Sequence, residues 1–426
     1  MNNNYFYIYL LSFVSLVSLL FGRLISSGYI YSSTESYFVL QNDVFTYYNY
    51  LISFFSGFEV VIPLLSGMVS IYLLYLIFNQ LNFSNNVSYI SLFLIILSPI
   101  WLYSYTNLLS FGFSFVLILG AVLLYLKSNN YYLILLGLSV FFSPILFLVS
   151  IVLFSVYSKI NNKKMYSLLL LPLLFVHGIE LLFVFTFETG AFFDLFIEFG
   201  FLKSVSLITL SLGILGIIFF WKRTTNYIFI ANSSFILLLA SIIYSDLVIL
   251  VNIIYSVISS YLILYIYNKK WHVNVLKFYT LLLIFCAYLF ITISFVSTSI
   301  NFNNDKFEAL EILRDLDEGV VLSSENNGFL INYVSEKDVF IDERSYRYRD
   351  YDLKKEYMDT VFYSVRLAEV RELFEKHNIK YLFVDKDMIS GNIWSSRQEG
   401  LLFVAENSDA FKTIYDGDVI IYEFVS

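Results

Sequence analysis

Three ionisable side chains near the start of the chain, Arg23, Glu35 and Asp43, have the types needed for group-transfer chemistry. A carboxylate such as Glu35 can take the proton of an attacking group or hold a divalent cation. An arginine can hold a phosphate or a carboxylate. Each residue also has a plainer use. Ser33-Thr34-Glu35-Ser36 opens the apolar run 37–51, and a carboxylate there favours the exposed N–H groups of a helix start. Asp43 suits a solvated face. Arg23, at the end of the first apolar run, can snorkel to a membrane interface.

Two further groups of charges stand out. Glu188, Asp194 and Glu198 surround Phe192, Phe193, Leu195 and Phe196, with Lys203 after them; this suits an amphipathic helix over 188–203 lying in an interface, or a metal site. His177 and Glu180 are i, i+3 neighbours within one apolar run, either lining an interior path or satisfying each other in packing. Cys286 is the one cysteine and lies in a hydrophobic run, so no intrachain disulfide can form.

The elements that must position these residues change character near residue 300. The chain has a mean hydropathy of +0.73 and is 58% hydrophobic, but its two parts differ. Residues 1–300 carry 11 basic against 8 acidic residues, and 301–426 carry 15 against 26, a net −11. The first part reads as a multi-pass transmembrane domain and the second as a soluble domain. An acidic domain without a clustered basic face argues against nucleic acid as a partner.

A membrane span needs roughly 20 apolar residues. Nine candidates fall at 5–25, 59–79, 87–104, 108–126, 165–187, 204–221, 227–243, 247–267 and 275–297. The stretch 131–158 is too long for one span and holds Ser143-Pro144. Lys127 lies before it and Lys159, Lys163 and Lys164 follow. Basic residues collect on the cytoplasmic side, so both flanks are expected inside and the stretch is expected to be a helical hairpin broken at Pro144. The same rule puts Lys222, Arg223, Lys269 and Lys270 inside, and the acids of the first part in or near outer loops. The N-terminus is then cytoplasmic. The loop 26–58 and the C-terminal domain share the outer side.

The second part alternates helical and strand patterns. A helical face over Phe307, Leu310, Ile312 and Leu313 precedes the strand Val320-Val321-Leu322. Asp338 to Asp342, a helix from about Arg366 to His377, the strand Lys380 to Val384 and a closing pair around Phe411 to Tyr415 and Val419 to Phe424 follow. The expected architecture is a polytopic α-helical membrane bundle of about nine spans plus the Pro-broken hairpin, carrying a C-terminal α/β domain.

This order of parts resembles the GT-C superfamily of membrane glycosyltransferases, and most of all archaeal membrane proteins distantly related to the catalytic subunit of oligosaccharyltransferase. Glu35-Ser36-Tyr37-Phe38-Val39-Leu40 looks like their acidic first-loop motif. Ile62-Pro63-Leu64-Leu65-Ser66-Gly67 resembles the entry to their second span, and Leu97-Ser98-Pro99 their third. Val320 to Gly328 sits where that subunit carries Trp-Trp-Asp-Tyr-Gly, of which Gly328 matches. Phe340 to Glu343 and Ile379 to Val384 resemble strands of such domains.

The resemblance implies transfer of a sugar from a polyprenyl-phosphate donor to an acceptor protein or glycolipid at the outer membrane face. Glu35 would be the catalytic carboxylate with Asp43 in reserve, Arg23 would meet the donor phosphate, and Tyr37, Glu325, Asn327 and Gly328 would line the acceptor cavity. A divalent cation, Mg or Mn, would be held by Glu35 or Asp43. Two other readings stand beside this one: a non-catalytic scaffold of the same architecture that binds lipid-linked glycan or a partner, and a transporter, suggested by His177, Glu180 and the broken helix.

Overall fold

The computed structural model describes residues 3–27, 59–157, 206–220, 234–241, 247–300, 304–342, 345, 351–389 and 393–425. The chain divides into two compact units, a helical one of Met1–Ile25 and Val44–Ile300 and a second of Ser26–Asp43 and Asn301–Ser426. Glu35, Tyr37, Asp43, His177, Glu180 and the acidic stretch 188–203 lie outside the described residues.

In the helical unit, runs of Leu, Ile, Val and Phe, with Arg23 and Lys277 as the charges within their helices, form helices because the backbone must satisfy itself in an apolar surrounding. They are α1 (Asn3–Ser27), α2 (Val61–Gln80), α3 (Asn85–Ile96), α4 (Pro99–Thr106), α5 (Ser110–Leu126), α6 (Tyr132–Ser139), α7 (Pro144–Tyr157), α8 (Leu207–Phe220), α9 (Val248–Asn268) and α10 (Asn274–Ile300). Residues 234–241 are also helical. Among the described residues, four helices are long and apolar enough to cross a membrane, or five if a bent pair counts as one. The chain is a multi-pass membrane protein.

The candidate span over 87–104 contains a sharp bend. α3 and α4 meet at an angle of 61°. Pro99 has no N–H to continue the ladder, and Ser98 Oγ instead accepts from the N–H of Trp101, capping a new helix. Pro therefore acts here as a helix-opening residue. The break at Pro144 is present as well: α6 ends at Ser139, α7 starts at Pro144, and Ser143 Oγ accepts from the Leu146 N–H.

The α3–α4 break would leave carbonyl groups without partners in the bundle core. Neighbouring helices supply them. Thr292 Oγ1 of α10 donates to the Leu97 carbonyl at 3.0 Å, and the Tyr288 hydroxyl donates to the Leu94 carbonyl. Asn252 Nδ2 of α9 donates to Ser98 Oγ at 2.8 Å, and Ser91 Oγ donates to Ser260 Oγ at 2.9 Å. Where α8 meets α9, a Cβ on Gly213 would lie 2.4 Å from Tyr255 and one on Gly216 2.7 Å from Ile258. Small residues thus allow the close approach typical of packing inside a bilayer.

The second unit holds a four-stranded sheet with β1 (Val320–Leu322), β2 (Ile379–Val384), β3 (Phe411–Asp416) and β4 (Ile420–Phe424), in the order β1-β2-β4-β3. β1 and β2 are parallel, and β4 runs antiparallel to both β2 and β3. β2 is central and, apart from the half-buried Lys380, wholly buried, as its apolar residues require. The segment expected near 338–342 makes only an isolated bridge, Val339 with Val321.

The helices of this unit are α11 (Asn304–Arg314), α12 (Gly328–Ser335), α13 (Tyr351–Tyr363), α14 (Leu367–Lys376) and α15 (Gly400–Asn407). α14 turns Val370 and Phe374 inward. Phe374 meets Phe411 and Phe424 at ring distances of 5.5 and 5.1 Å. Lys337 donates to the carbonyls of Arg314 and Leu316 at the end of α11, where a cation complements the helix dipole.

Candidate functional site

Arg23 is only 1% exposed. An enclosed guanidinium is not a snorkelling one, so the interfacial reading of Arg23 is overturned. Its Nη1 donates to the carbonyl of Thr106 at 3.3 Å, at the C-terminal end of α4. The side chains of the same turn fold back on their own helix: Thr106 Oγ1 donates to the Leu102 carbonyl at 2.7 Å and Asn107 Nδ2 to the Tyr103 carbonyl at 3.0 Å. The negative end of α4 thus supplies part of the compensation that an arginine beside an apolar helix needs. α4 exists because of the Ser98-Pro99 break, so that break also sets the surroundings of Arg23.

In the second unit, a polar cluster forms where the parallel strands end. β1 stops at Leu322 and β2 at Val384, and the next residues, Ser323 and Asp385, are both buried. Loops at the carboxyl ends of parallel strands are where α/β units gather functional groups. Lys306, from the first turn of α11, enters this space. Its Nζ lies 2.5 Å from Asp385 Oδ2, 3.8 Å from Asp387 Oδ2 and 3.5 Å from Asn327 Oδ1.

Asn327 Nδ2 donates to Ser323 Oγ at 3.1 Å and to Ser324 Oγ at 3.0 Å, and Asp385 Oδ1 accepts the Met388 N–H at 3.0 Å. One connected network therefore fixes the loop 323–328 and the loop after β2. Of the residues expected to line an acceptor cavity, Glu325, Asn327 and Gly328 are consecutive members or neighbours within this loop.

Glu325 faces α13. It accepts from Tyr351 Oη at 3.3 Å and pairs with Lys355 Nζ at 3.1 Å. The Tyr351 hydroxyl, then Glu325, hold the Lys355 ammonium well above the usual lysine range. Gly328 starts α12 against the chain at 341–342. A Cβ there would meet Asp342 Cβ at 2.6 Å, Asp342 Cα at 2.8 Å and the Ile341 carbonyl oxygen at 2.9 Å. The glycine is required by that backbone approach.

Lys306 and Asp385 were not singled out from the sequence. Asp385 follows an apolar strand directly, which is a usable signal. Lys306 gives none, because its partners are 21 and 79 residues away. Among the described residues, no group of three or more His, Cys, Asp and Glu side chains is arranged to hold a metal ion.

No known family profile matches the sequence. No curated protein sequence is similar to it. Solved structures are similar in fold. The Archaeoglobus fulgidus oligosaccharyltransferase complex with Zn and sulfate matches with a TM-score of 0.55 and 14% identity, over 95% of this chain and 71% of that one. The Archaeoglobus fulgidus AglB complex with an inhibitory peptide and a dolichol-phosphate matches with 0.52 and 11%, over 90% and 69%. Mycobacterial arabinofuranosyltransferase AftD matches with 0.50 and 12%, over 99% of this chain and 40% of that one. At such identities the likeness concerns the fold, and this chain has a GT-C-like fold.

Proposed function

We propose that this protein is a membrane glycosyltransferase that moves a sugar from a polyprenyl-phosphate donor to an acceptor at the outer membrane face. The observation that carries the reading is the likeness in fold to glycosyltransferases over 90–99% of this chain. One of those relatives is in complex with a dolichol-phosphate and a peptide, which supports a lipid-linked donor. Fold alone does not dictate function, so the roles are argued from chemistry.

In the proposed reaction an acceptor oxygen or nitrogen attacks the anomeric carbon of the donor sugar. The bond from that carbon to the phosphate oxygen breaks, and the polyprenyl phosphate leaves with the electron pair. Glu35 takes the acceptor proton, or holds a divalent cation that polarises the nucleophile. Asp43 is the reserve carboxylate. Arg23 is enclosed and engaged with Thr106, so it contributes a fixed positive charge that favours the departing phosphate through the apolar bundle. Tyr37 and the Glu325 to Gly328 loop form the acceptor side.

Glu35→Gln, reconstituted with a defined polyprenyl-phosphate sugar, tests the reading: transfer should fall by about a hundredfold or more, in the range of general-base loss. Full transfer by that variant would remove Glu35 from the mechanism. A second reading, a non-catalytic scaffold, is favoured by one observation. Asn327 and Glu325 of the 323–328 loop are engaged with Ser323, Ser324, Lys306 and Tyr351. Copurified lipid-linked glycan with no transfer by the parent protein would select it.

A further inference from the structure

We propose that Lys306 and Asp385 are a positioning pair that holds the Ser323–Gly328 loop in the shape the acceptor meets. The inference rests on the reading of that loop as the acceptor side. The side chain of Asp385 is 3% exposed and that of Lys306 is 14% exposed, so the pair is largely withdrawn from water. A buried ion pair is a poor device for stability alone, because desolvation offsets much of its attraction. Well-packed apolar residues would hold the unit as firmly.

What apolar residues could not do is orient Asn327. Lys306 donates to Asn327 Oδ1, and this fixes the amide so that Nδ2 points at Ser323 and Ser324. Asp385 fixes Lys306 in turn and is itself held by the Met388 N–H. The chain of contacts runs from α11, through the loop after β2, to the loop after β1. Its members are engaged with one another, which suits a brace rather than a ligand site. Asp387, whose side chain is 74% exposed, marks the wet rim of the network.

The test uses the full chain in detergent or nanodiscs, with Lys306→Met, Asp385→Leu, the double variant and Lys306→Arg. Single variants leave one buried charge uncompensated and should unfold at lower temperature. The double variant should recover most of that loss. If the pair positions the loop, amide exchange over 323–328 in the double variant should still be about tenfold faster than in the parent protein. Its KM for acceptor should rise about tenfold, with donor KM and kcat within about threefold. Lys306→Arg, which keeps the charge, should stay near the parent.

Asn327→Ala serves as a second variant should the double variant not fold. It leaves the ion pair intact and should loosen the same loop. A double variant, or Asn327→Ala, with parental loop exchange would overturn the proposal. Were the parent to show no transfer, the glycosyltransferase reading would fail while the exchange experiment still decided the role of the pair.

Discussion

Asn252 of α9 donates to Ser98 at the break between α3 and α4, across 2.8 Å and 154 residues of sequence. The contact ties the bent span to a neighbouring helix inside the bundle. Ser98 also donates to the Ile95 carbonyl and caps the Trp101 N–H, so one hydroxyl closes the first half-helix and opens the second. The bend is thereby held from both sides, and α4 carries its C-terminal end to Arg23.

Ser98→Ala should therefore be more damaging than Asn252→Leu. The first removes a cap, worth about 1 kcal/mol, and leaves the buried amide of Asn252 without its acceptor, costing about 1–3 kcal/mol more. The second removes the donor and also a buried Asn252 Oδ1 that has no hydrogen-bond partner among the described residues. Thermal unfolding in detergent should rank Ser98→Ala clearly below Asn252→Leu. Equal midpoints would mean that Ser98 does not organise the break.

Gly328→Ala should destabilise the second unit. The added methyl would press on the backbone of 341–342, and overpacking of this kind costs about 1–3 kcal/mol. Thermal unfolding of the full chain measures the loss. The exposed neighbour Asn326→Ala should leave the midpoint unchanged, since surface changes of this kind stay within about 0.5 kcal/mol.

His377 should make the second unit sensitive to acid. Its ring lies 5.1 Å from Phe340 and 5.3 Å from Tyr357, and its Nε2 is buried without a hydrogen-bond partner among the described residues. Burial, then the nearby Lys376 and Lys354 charges, push its pKa below the usual imidazole range. The folded state thus binds the proton less well than the unfolded one. Stability is full above the unfolded pKa of about 6.5 and falls as pH drops through that value towards the folded pKa. Unfolding midpoints between pH 7 and pH 5 should decline in the parent and decline less in His377→Phe.

Much of the fold was legible in the sequence because hydrophobic runs report their own burial. β2 reads as buried since Ile379 to Val384 is apolar but for Lys380, and Pro144 announces a break because it cannot continue the ladder of the preceding turn. The bend at Pro99 was missed because Leu97-Ser98-Pro99 lies in a run of acceptable span length. Only the partners on α10 show that its carbonyls are satisfied in a broken state. The candidate site was less legible. Glu325, Asn327 and Gly328 are local in sequence, whereas Lys306 and Asp385 become neighbours only when β1 and β2 pair in parallel. Charge spacing along a chain cannot report such a meeting.

Arg23 offers the sharpest separation between a ligand and a fixed charge. Its hydrogen bond to the Thr106 carbonyl is of the charged kind, worth about 1.5–3 kcal/mol, so Arg23→Met should lower the unfolding midpoint of the helical unit. Arg23→Lys keeps the charge but loses the planar fork, and should recover part of the stability and of the transfer rate. If Arg23 acts through space, Arg23→Met should lower kcat about tenfold or more while donor KM moves less than about threefold, since ground-state binding of the phosphate would not depend on a direct contact. A rise in donor KM with unchanged kcat would instead make Arg23 a direct phosphate ligand. That outcome would require its enclosed guanidinium to open during the reaction.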